Sequence, residues 1–279
     1  MTPVRVFILT LLAMGAFAGN SLLCRAALRG MAIDAASFTG VRIVSGAVVL
    51  WLILRARGHT IKEAGSWWSA LALFVYAAAF SFAYLSLSAG TGALLLFAAV
   101  QATMILWGLR KRERMHARQV VGLGLAFAGL VLLLLPGLSA PPLGGALLML
   151  SAGVAWGAYS LRGKAAGDPT NATAGNFIRA VPMAIVLSAA CIVWAHVGQA
   201  GLVYAIISGA ITSGLGYVIW YAALPGLKSV SAASVQLSVP VLTAVAGILF
   251  LGESLTLRFV VAAVAVLGGI ALVVLEKRG

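Results

Sequence analysis

The chain has 279 residues, of which 62% are hydrophobic and 9% charged, with a formal net charge of +13. A soluble domain of that length needs far more polar surface, which excludes an ordinary soluble protein, an apolar-rich α/β fold included. The basic excess suggests nucleic acid only until the positions of the charges are read.

Ten apolar segments approach the roughly 20 residues that cross a hydrocarbon core of about 30 Å. They fall near 6–24, 34–54, 66–87, 91–109, 119–135, 143–161, 173–195, 201–222, 229–250 and 258–275. Backbone groups in lipid must be satisfied internally, and runs this continuous predict helices instead of barrel strands.

In chain order, the first segment carries Phe17 and Asn20. With Arg5, an apolar run, Ala16 and Ala18 it mimics a signal peptide, but its pattern recurs at 143–161, so it is expected to be a retained helix. The second opens at Asp34 and holds Arg42. The third carries Tyr76, Phe80 and Tyr84, four residues apart and hence on one helix face. The fourth holds Gln101 at depth and ends in the basic run Arg110-Lys111-Arg112-Glu113-Arg114, which reads as a topogenic loop near anionic headgroups. From Val120 to Leu135 the fifth has no polar side chain, only small residues such as Gly122, Gly124 and Gly129 that let helices approach closely. Pro136-Gly137 to Pro141-Pro142 is the natural linker, separating a unit at 1–137 from one at 141–279.

The sixth segment places Trp156 and Tyr159 where the first has Phe17 and Asn20. The seventh starts at Asn171 and holds Arg179, and the eighth repeats the aromatic stripe with Tyr217, Trp220 and Tyr221. In the ninth, Gln236 and Ser238 precede Pro240, whose missing N–H exposes a carbonyl where a helix bends. The tenth is again without polar side chains between Val260 and Leu275, with Ala262, Gly268 and Gly269 as its small residues. The fifth and tenth read as outer buttresses or a dimer surface.

These landmarks recur at an offset of 137 to 140 residues: Arg42 with Arg179, Phe80 with Tyr217, Tyr84 with Tyr221, Glu113 with Glu253, and Arg118 with Arg258. Two units of five spans each run through a bilayer in opposite senses, the inverted-repeat plan of many secondary transporters, with substrate held between the halves at the midplane. The fold expected is therefore an all-α membrane protein of ten transmembrane helices in two inverted five-helix repeats, together one transport domain.

The charges agree with that plan. With the N-terminus cytoplasmic, fourteen Lys and Arg residues fall inside, from Arg5 to Arg278, and only Arg25, Arg29 and Arg258 outside, a positive-inside asymmetry that argues against nucleic acid. Arg42 and Arg179 lie within spans, about two turns from a helix start. Two readings fit them: a carboxylate contact or a gate locked on backbone carbonyls, or a guanidinium that snorkels or ties its helix to a neighbour. Inversion puts them toward opposite faces, so both cannot hold one substrate.

No carboxylate or histidine falls near mid-span, and the sequence shows no metalloprotease, nucleophile-elbow or phosphate-loop motif. No enzyme, metal or cofactor is expected. Cys24 and Cys191 have no motif spacing and read as small hydrophobes in packing. The aromatic stripes read either as a cavity wall or as helix packing and interfacial belts. The amides Gln101, Gln236 and Asn20 read as cavity lining or as interhelical hydrogen bonds.

Two tandem units, each with a small-residue-rich first helix and an early Arg in the second, resemble the ten-helix, EamA-type branch of the drug/metabolite transporter superfamily. The best single motif runs from Pro240 through Leu249 to Gly252-Glu253-Ser254-Leu255-Thr256; its first-half counterpart, Arg112-Glu113-Arg114-Met115, is degenerate, and Gln101 stands where a proline is usual. The resemblance implies a bacterial inner-membrane exporter of small metabolites, amino acids included, with a central cavity bounded by helices one to four and six to nine. It lacks the intramembrane Glu that the four-helix multidrug branch uses for proton antiport.

The residues and the resemblance together predict an exporter of amino acids, aromatic or broad in range, or of similar metabolites. It works by alternating access, facilitated or weakly proton-coupled, with both termini cytoplasmic. Export of drugs, nucleosides or other neutral metabolites is the alternative, and a channel a third. The partners expected are a small-molecule substrate and the lipid bilayer, with the protein a monomer or a homodimer. Phe17, Asn20, Tyr76, Phe80, Tyr84, Gln101, Trp156, Tyr159, Tyr217, Trp220, Tyr221, Gln236 and Ser238 are the candidate substrate contacts, and Pro240, Arg42 and Arg179 the candidate gate or hinge positions.

Overall fold

The computed structural model describes all residues except 1, 59–64, 111–115, 138–139, 164–167, 228–234 and 275–279. The described chain is helical, apart from one antiparallel bridge between Ile33 and Val197. Its ten helices are α1 (Pro3–Arg29), α2 (Ala35–Ala56), α3 (Trp67–Ala83), α4 (Ala89–Arg110) and α5 (Ala117–Leu134). The second set is α6 (Leu143–Gly163), α7 (Pro169–Ala190), α8 (Gln199–Gly226), α9 (Ser238–Leu251) and α10 (Leu257–Val274). Eight of them are long and apolar enough to cross a membrane; α3 and α9 are shorter apolar helices. The basic run Lys111–Arg114, with Glu113, lies outside the described residues, as does the start predicted for the ninth span.

Polar caps set the starts. The Asp34 carboxylate accepts from the Ser37 N–H at 2.9 Å, Asp168 from Thr170 and Asn171 at 3.0 and 3.2 Å, and the Ser66 hydroxyl from the Ser69 N–H at 3.1 Å, each satisfying donors that a first turn leaves open. At the end of α9, Gly252 adopts the left-handed conformation (φ 60°), and the next N–H, of Glu253, donates to the Gly247 carbonyl at 3.1 Å. Thr256 then caps α10 by accepting from the Phe259 N–H at 3.1 Å. The Gly-Glu-x-Leu-Thr pattern is thus a stop, a turn and a start in five residues.

The two halves interlock across the chain. α3 and α4 pack on α6, α2 on α7 and the middle of α8, and α1 on α8 and α9. Small residues permit the closest crossings: a Cβ on Gly153 would lie 2.5 Å from the Leu96 carbonyl oxygen, and one on Gly209 would overlap the Arg42 carbonyl. α5 and α10 stand apart and pack chiefly on each other through Gly122, Gly129, Ala262 and Gly269; Gly124 and Gly268 face open space. Only Gly122, Gly129 and Leu133 of α5 are buried, as expected of an outer, lipid-facing pair.

Contacts between helix ends show the inversion. Arg25 of α1, Tyr84 after α3, Ala89 of α4 and Glu253 before α10 meet at one end, which also holds Pro141 and Pro142 before α6. Arg162 of α6, Ser66 before α3 and Asn176 of α7 meet at the other. α1 and α6, the first helices of the two repeats, therefore run in opposite directions. Two spans end earlier than predicted. α3 stops at Ala83, and α7 at Ala190, followed by a 3-10 turn over Ile192–Trp194.

Candidate functional site

The middle of α8, Ser208–Leu215, is wound as a π-helix, a form concentrated at functional sites. It presents Ser208, Thr212 and Ser213 to α1 and α2. The Ser208 hydroxyl donates to Asn20 Oδ1 at 2.7 Å, and Thr212 donates to the Ser208 carbonyl at 2.9 Å while lying 3.3 Å from the same Asn20 oxygen. Asn20 Nδ2 in turn donates to the Tyr76 hydroxyl at 3.2 Å. Arg42 joins from α2, donating through Nη2 to the Tyr76 hydroxyl at 3.0 Å and through Nε to Ser213 Oγ at 3.1 Å. Four helices thus converge on one buried polar hub.

An aromatic wall covers that hub. The Trp156 ring lies 4.9 Å from both Tyr76 and Tyr217, 5.4 Å from Tyr159 in a stacked pose, and 6.4 Å from Phe17 edge-on. Such pairs contribute about 0.5–1.5 kcal/mol each beyond their burial. Between these rings lies a cavity lined by Phe17, Asn20, Ser21, Tyr76, Phe80, Leu96, Phe97, Trp156, Thr212 and Tyr217. Its volume is about 20 Å³, room for one water, so its own side chains fill most of the site.

The electrostatics of the hub are unequal. Arg42 is 2% exposed, its guanidinium carbon sits 5.0 Å from the Tyr76 ring centre and 5.1 Å from that of Phe80, and its Nη1 has no hydrogen-bond partner. Cation–π contact offsets part of the desolvation. A buried ion without a counter-charge still costs several kcal/mol, and the one ion pair among the described residues, Arg25–Glu253, is elsewhere.

That pair closes one end of the bundle. Glu253 accepts from Arg25 Nε at 3.0 Å and from the Ala89 N–H at the start of α4 at 2.8 Å, while Arg25 Nη1 donates to the Tyr84 carbonyl at 2.9 Å. Beside it is a larger cavity, about 210 Å³, bordered by Ser86, Ser88, Thr91, Ser254 and Thr256. Its one charged group, Glu253, is already satisfied within the protein, so the smaller central cavity, with its ring faces and an uncompensated cation behind Tyr76 and Phe80, is the better candidate site. At the same end the Asp34 carboxylate accepts from the His196 N–H at 2.9 Å, and the Asp34 N–H donates back to the His196 carbonyl at 2.9 Å. Burial works to raise the Asp34 pKa, but hydrogen bonds from the Ser37 side chain first, and then from the N–H groups of Ser37, His196 and Ala36, outweigh it and hold the carboxyl below its ordinary value.

Of the thirteen residues predicted to contact substrate, six line the central cavity: Phe17, Asn20, Tyr76, Phe80, Trp156 and Tyr217. Tyr159 and Trp220 are buried behind the wall, Tyr159 stacked on Trp156 and Trp220 with its ring 6.0 Å from Phe17. Tyr84 continues the stripe, its ring edge-on to Phe80 at 4.8 Å, but it does not line the cavity; its hydroxyl donates to the Ala89 carbonyl at 3.2 Å and its ring fills the notch left by Gly92. Tyr221 is half-buried against Gly163. Gln101 is buried one turn past Phe97, outside the wall. Gln236 is half-buried, and Ser238 donates to the Val235 carbonyl at 2.6 Å.

Pro240 lies three residues past Leu237, a turn that separates the helical residues Val235 and Gln236 from α9, so the helix breaks within one turn before the proline. A second proline at depth is Pro182 inside α7, which the sequence reading passed over although it stands mid-span. Arg179 is half-buried and donates to the Gly175 carbonyl of its own helix at 3.1 Å, whereas Arg42 points inward and does not snorkel. Sequence reasoning missed Ser21, Thr212, Ser208 and Ser213. A signal for the last three was present in hydroxyls at 208, 212 and 213 interleaved with Gly209 and Gly214.

Comparison with known proteins agrees with this architecture. The model of the EamA-like transporter family matches twice, over residues 4–135 and 143–275, one match per repeat. An uncharacterized protein of Pseudomonas aeruginosa is 57% identical over 276 residues, covering 99% of this chain and 96% of its own length. An uncharacterized transporter of Archaeoglobus fulgidus is 29% identical over 266 residues, covering 89% and 90%. A solved crystal structure superposes with a TM-score of 0.65 over 95% of this chain and 96% of its own at 16% identity, which establishes a shared fold. A twofold match over nearly the whole chain, on an inverted ten-helix body, places this multi-pass membrane protein in the EamA-like transporter family.

Proposed function

We propose that the protein exports amino acids, aromatic ones among them, or similar small metabolites across the bacterial inner membrane by alternating access. The observation that carries this reading is the central cavity, to which the two repeats contribute facing aromatic rings and a shared hydrogen-bonded hub. Aromatic faces beside hydroxyls and an amide suit a small molecule with an apolar body and a polar head. The halves, 1–137 and 141–279, rock about this point as one transport unit, and a space of about 20 Å³ is too small for a continuous wet pore, which favours a carrier over a channel. The basic excess of one set of loops supports a cytoplasmic side for both termini. With no mid-span carboxylate or histidine in the sequence, transport is facilitated or only weakly proton-coupled.

The test is counterflow in liposomes holding purified protein, against labelled amino acids, nucleosides and quaternary ammonium drugs. Saturable exchange of amino acids without an imposed pH gradient is expected. Flux that neither saturates nor shows counterflow overturns the carrier reading, and accumulation only under a pH gradient overturns the coupling.

A further inference from the structure

We propose that Arg42 is the recognition element for a carboxylate on the transported molecule, so that the site selects amino acids or other monocarboxylates over their neutral and cationic analogues. This deepens the transport reading and rests on it. Arg42 is enclosed, yet the described residues offer it no acidic neighbour. Its contacts leave a specific vacancy in hydrogen bonding. Nε is engaged by Ser213 and one Nη2 proton by the Tyr76 hydroxyl, while Nη1 is buried and unpartnered. The end of the guanidinium formed by Nη1 and the second Nη2 proton is therefore the free fork, and two parallel N–H donors are what a carboxylate accepts in bidentate fashion.

Position supports the same assignment. Arg42 lies one side chain behind the cavity, against Tyr76 and Phe80, both of which line it. The Tyr76 hydroxyl receives both Arg42 and Asn20, so one rotation of that side chain uncovers the guanidinium to a ligand among the rings. A carboxylate entering there supplies the missing counter-charge, and the aromatic wall holds the rest of the molecule. The second repeat offers no equivalent, since Arg179 is half-buried and bound to its own helix, so a single anionic group is recognised per cycle.

The test is calorimetric binding to the purified full chain, with L-phenylalanine, 3-phenylpropionate, phenylalaninamide and 2-phenylethylamine as probes. Sodium chloride is titrated against sodium gluconate in parallel. The two carboxylates are expected to bind at least about tenfold more tightly than the amide and the amine. Arg42→Gln should bring that ratio to within about twofold, and Arg42→Lys, which keeps the charge and loses the fork, should fall between.

Equal affinity for acid and amide in the unaltered protein overturns the proposal whatever the variants do, as does a ratio that survives in folded Arg42→Gln. Saturation by chloride with no carboxylate binding assigns the site to an inorganic anion and overturns it too. Counterflow of nucleosides or drugs without carboxylate preference sinks this inference but leaves a carrier standing. Absence of both binding and counterflow removes the transport reading along with it.

Discussion

Replacing Glu253 by Gln should loosen one end of the bundle without unfolding the protein. The carboxylate accepts two hydrogen bonds, from Arg25 and from the first amide of α4, with the ion pair only 14% and 11% exposed. Charge-assisted bonds contribute about 1.5–3 kcal/mol each, and the isosteric amide keeps one oxygen acceptor. The change should therefore cost about 1.5 kcal/mol, or roughly tenfold in the population with this end open. Cys24, fully buried one residue before Arg25, reports that opening. In a Cys191→Ser background in proteoliposomes, an impermeant maleimide should label Cys24 roughly tenfold faster when Glu253 is Gln, because labelling of a protected group tracks the open fraction. Arg25→Gln should act similarly, and the double variant should add little, since the two act through one contact. Equal labelling rates in folded Glu253→Gln would refute the argument that this pair holds the end shut.

Other perturbations separate the site from its frame. Asn20→Ala strips partners from Ser208 and Tyr76 and should lower stability by about 1–3 kcal/mol, read as a fall in thermal midpoint, with altered substrate selectivity in counterflow. Gly122→Leu drives a side chain into the Gly269 backbone, 2.5 Å from its carbonyl oxygen, and should lower the midpoint while leaving selectivity unchanged; a shift in selectivity would tie α5 and α10 to the cavity. Asp34, its carboxyl held below the ordinary value near 3.8, stabilises the fold above that pH and loses the contribution as pH falls through its depressed value. The thermal midpoints of the parent and Asp34→Asn should therefore differ at neutral pH and converge in acid, and a constant gap would show that the charge is not involved.

Hydropathy made the ten helices and their inversion legible, because spanning lipid permits so few backbone solutions. The four-residue stripe correctly brought Tyr76 and Phe80 together, since both lie on one face of α3. It also placed Tyr84 against Phe80, 4.8 Å away, but periodicity carries no information about the Ala89 carbonyl that takes the Tyr84 hydroxyl outside the cavity. The partnership of Arg25 with Glu253 spans 228 positions and depends on helix packing that no local pattern encodes. The depth of Arg42 was hidden for a related reason: distance from a helix start locates it along the bilayer but not whether it faces lipid or protein. The π turn of α8 was equally silent, since nothing in its composition distinguishes a wider winding from an α-helix.

That π turn has no match in α3, its counterpart in the first repeat, which is α-helical throughout. Two identical inverted halves would make the forms open to either side equal in energy. Here the hub joins Asn20, Arg42 and Tyr76 of one half to unlike groups on the wider turn of the other, so the degeneracy is lifted. For a carrier visiting both forms, a gap of only about 1 kcal/mol skews their resting populations roughly fivefold. The two membrane faces then present different apparent affinities and different half-saturation points. The final distribution of a passively moved solute, by contrast, remains fixed by its concentrations alone.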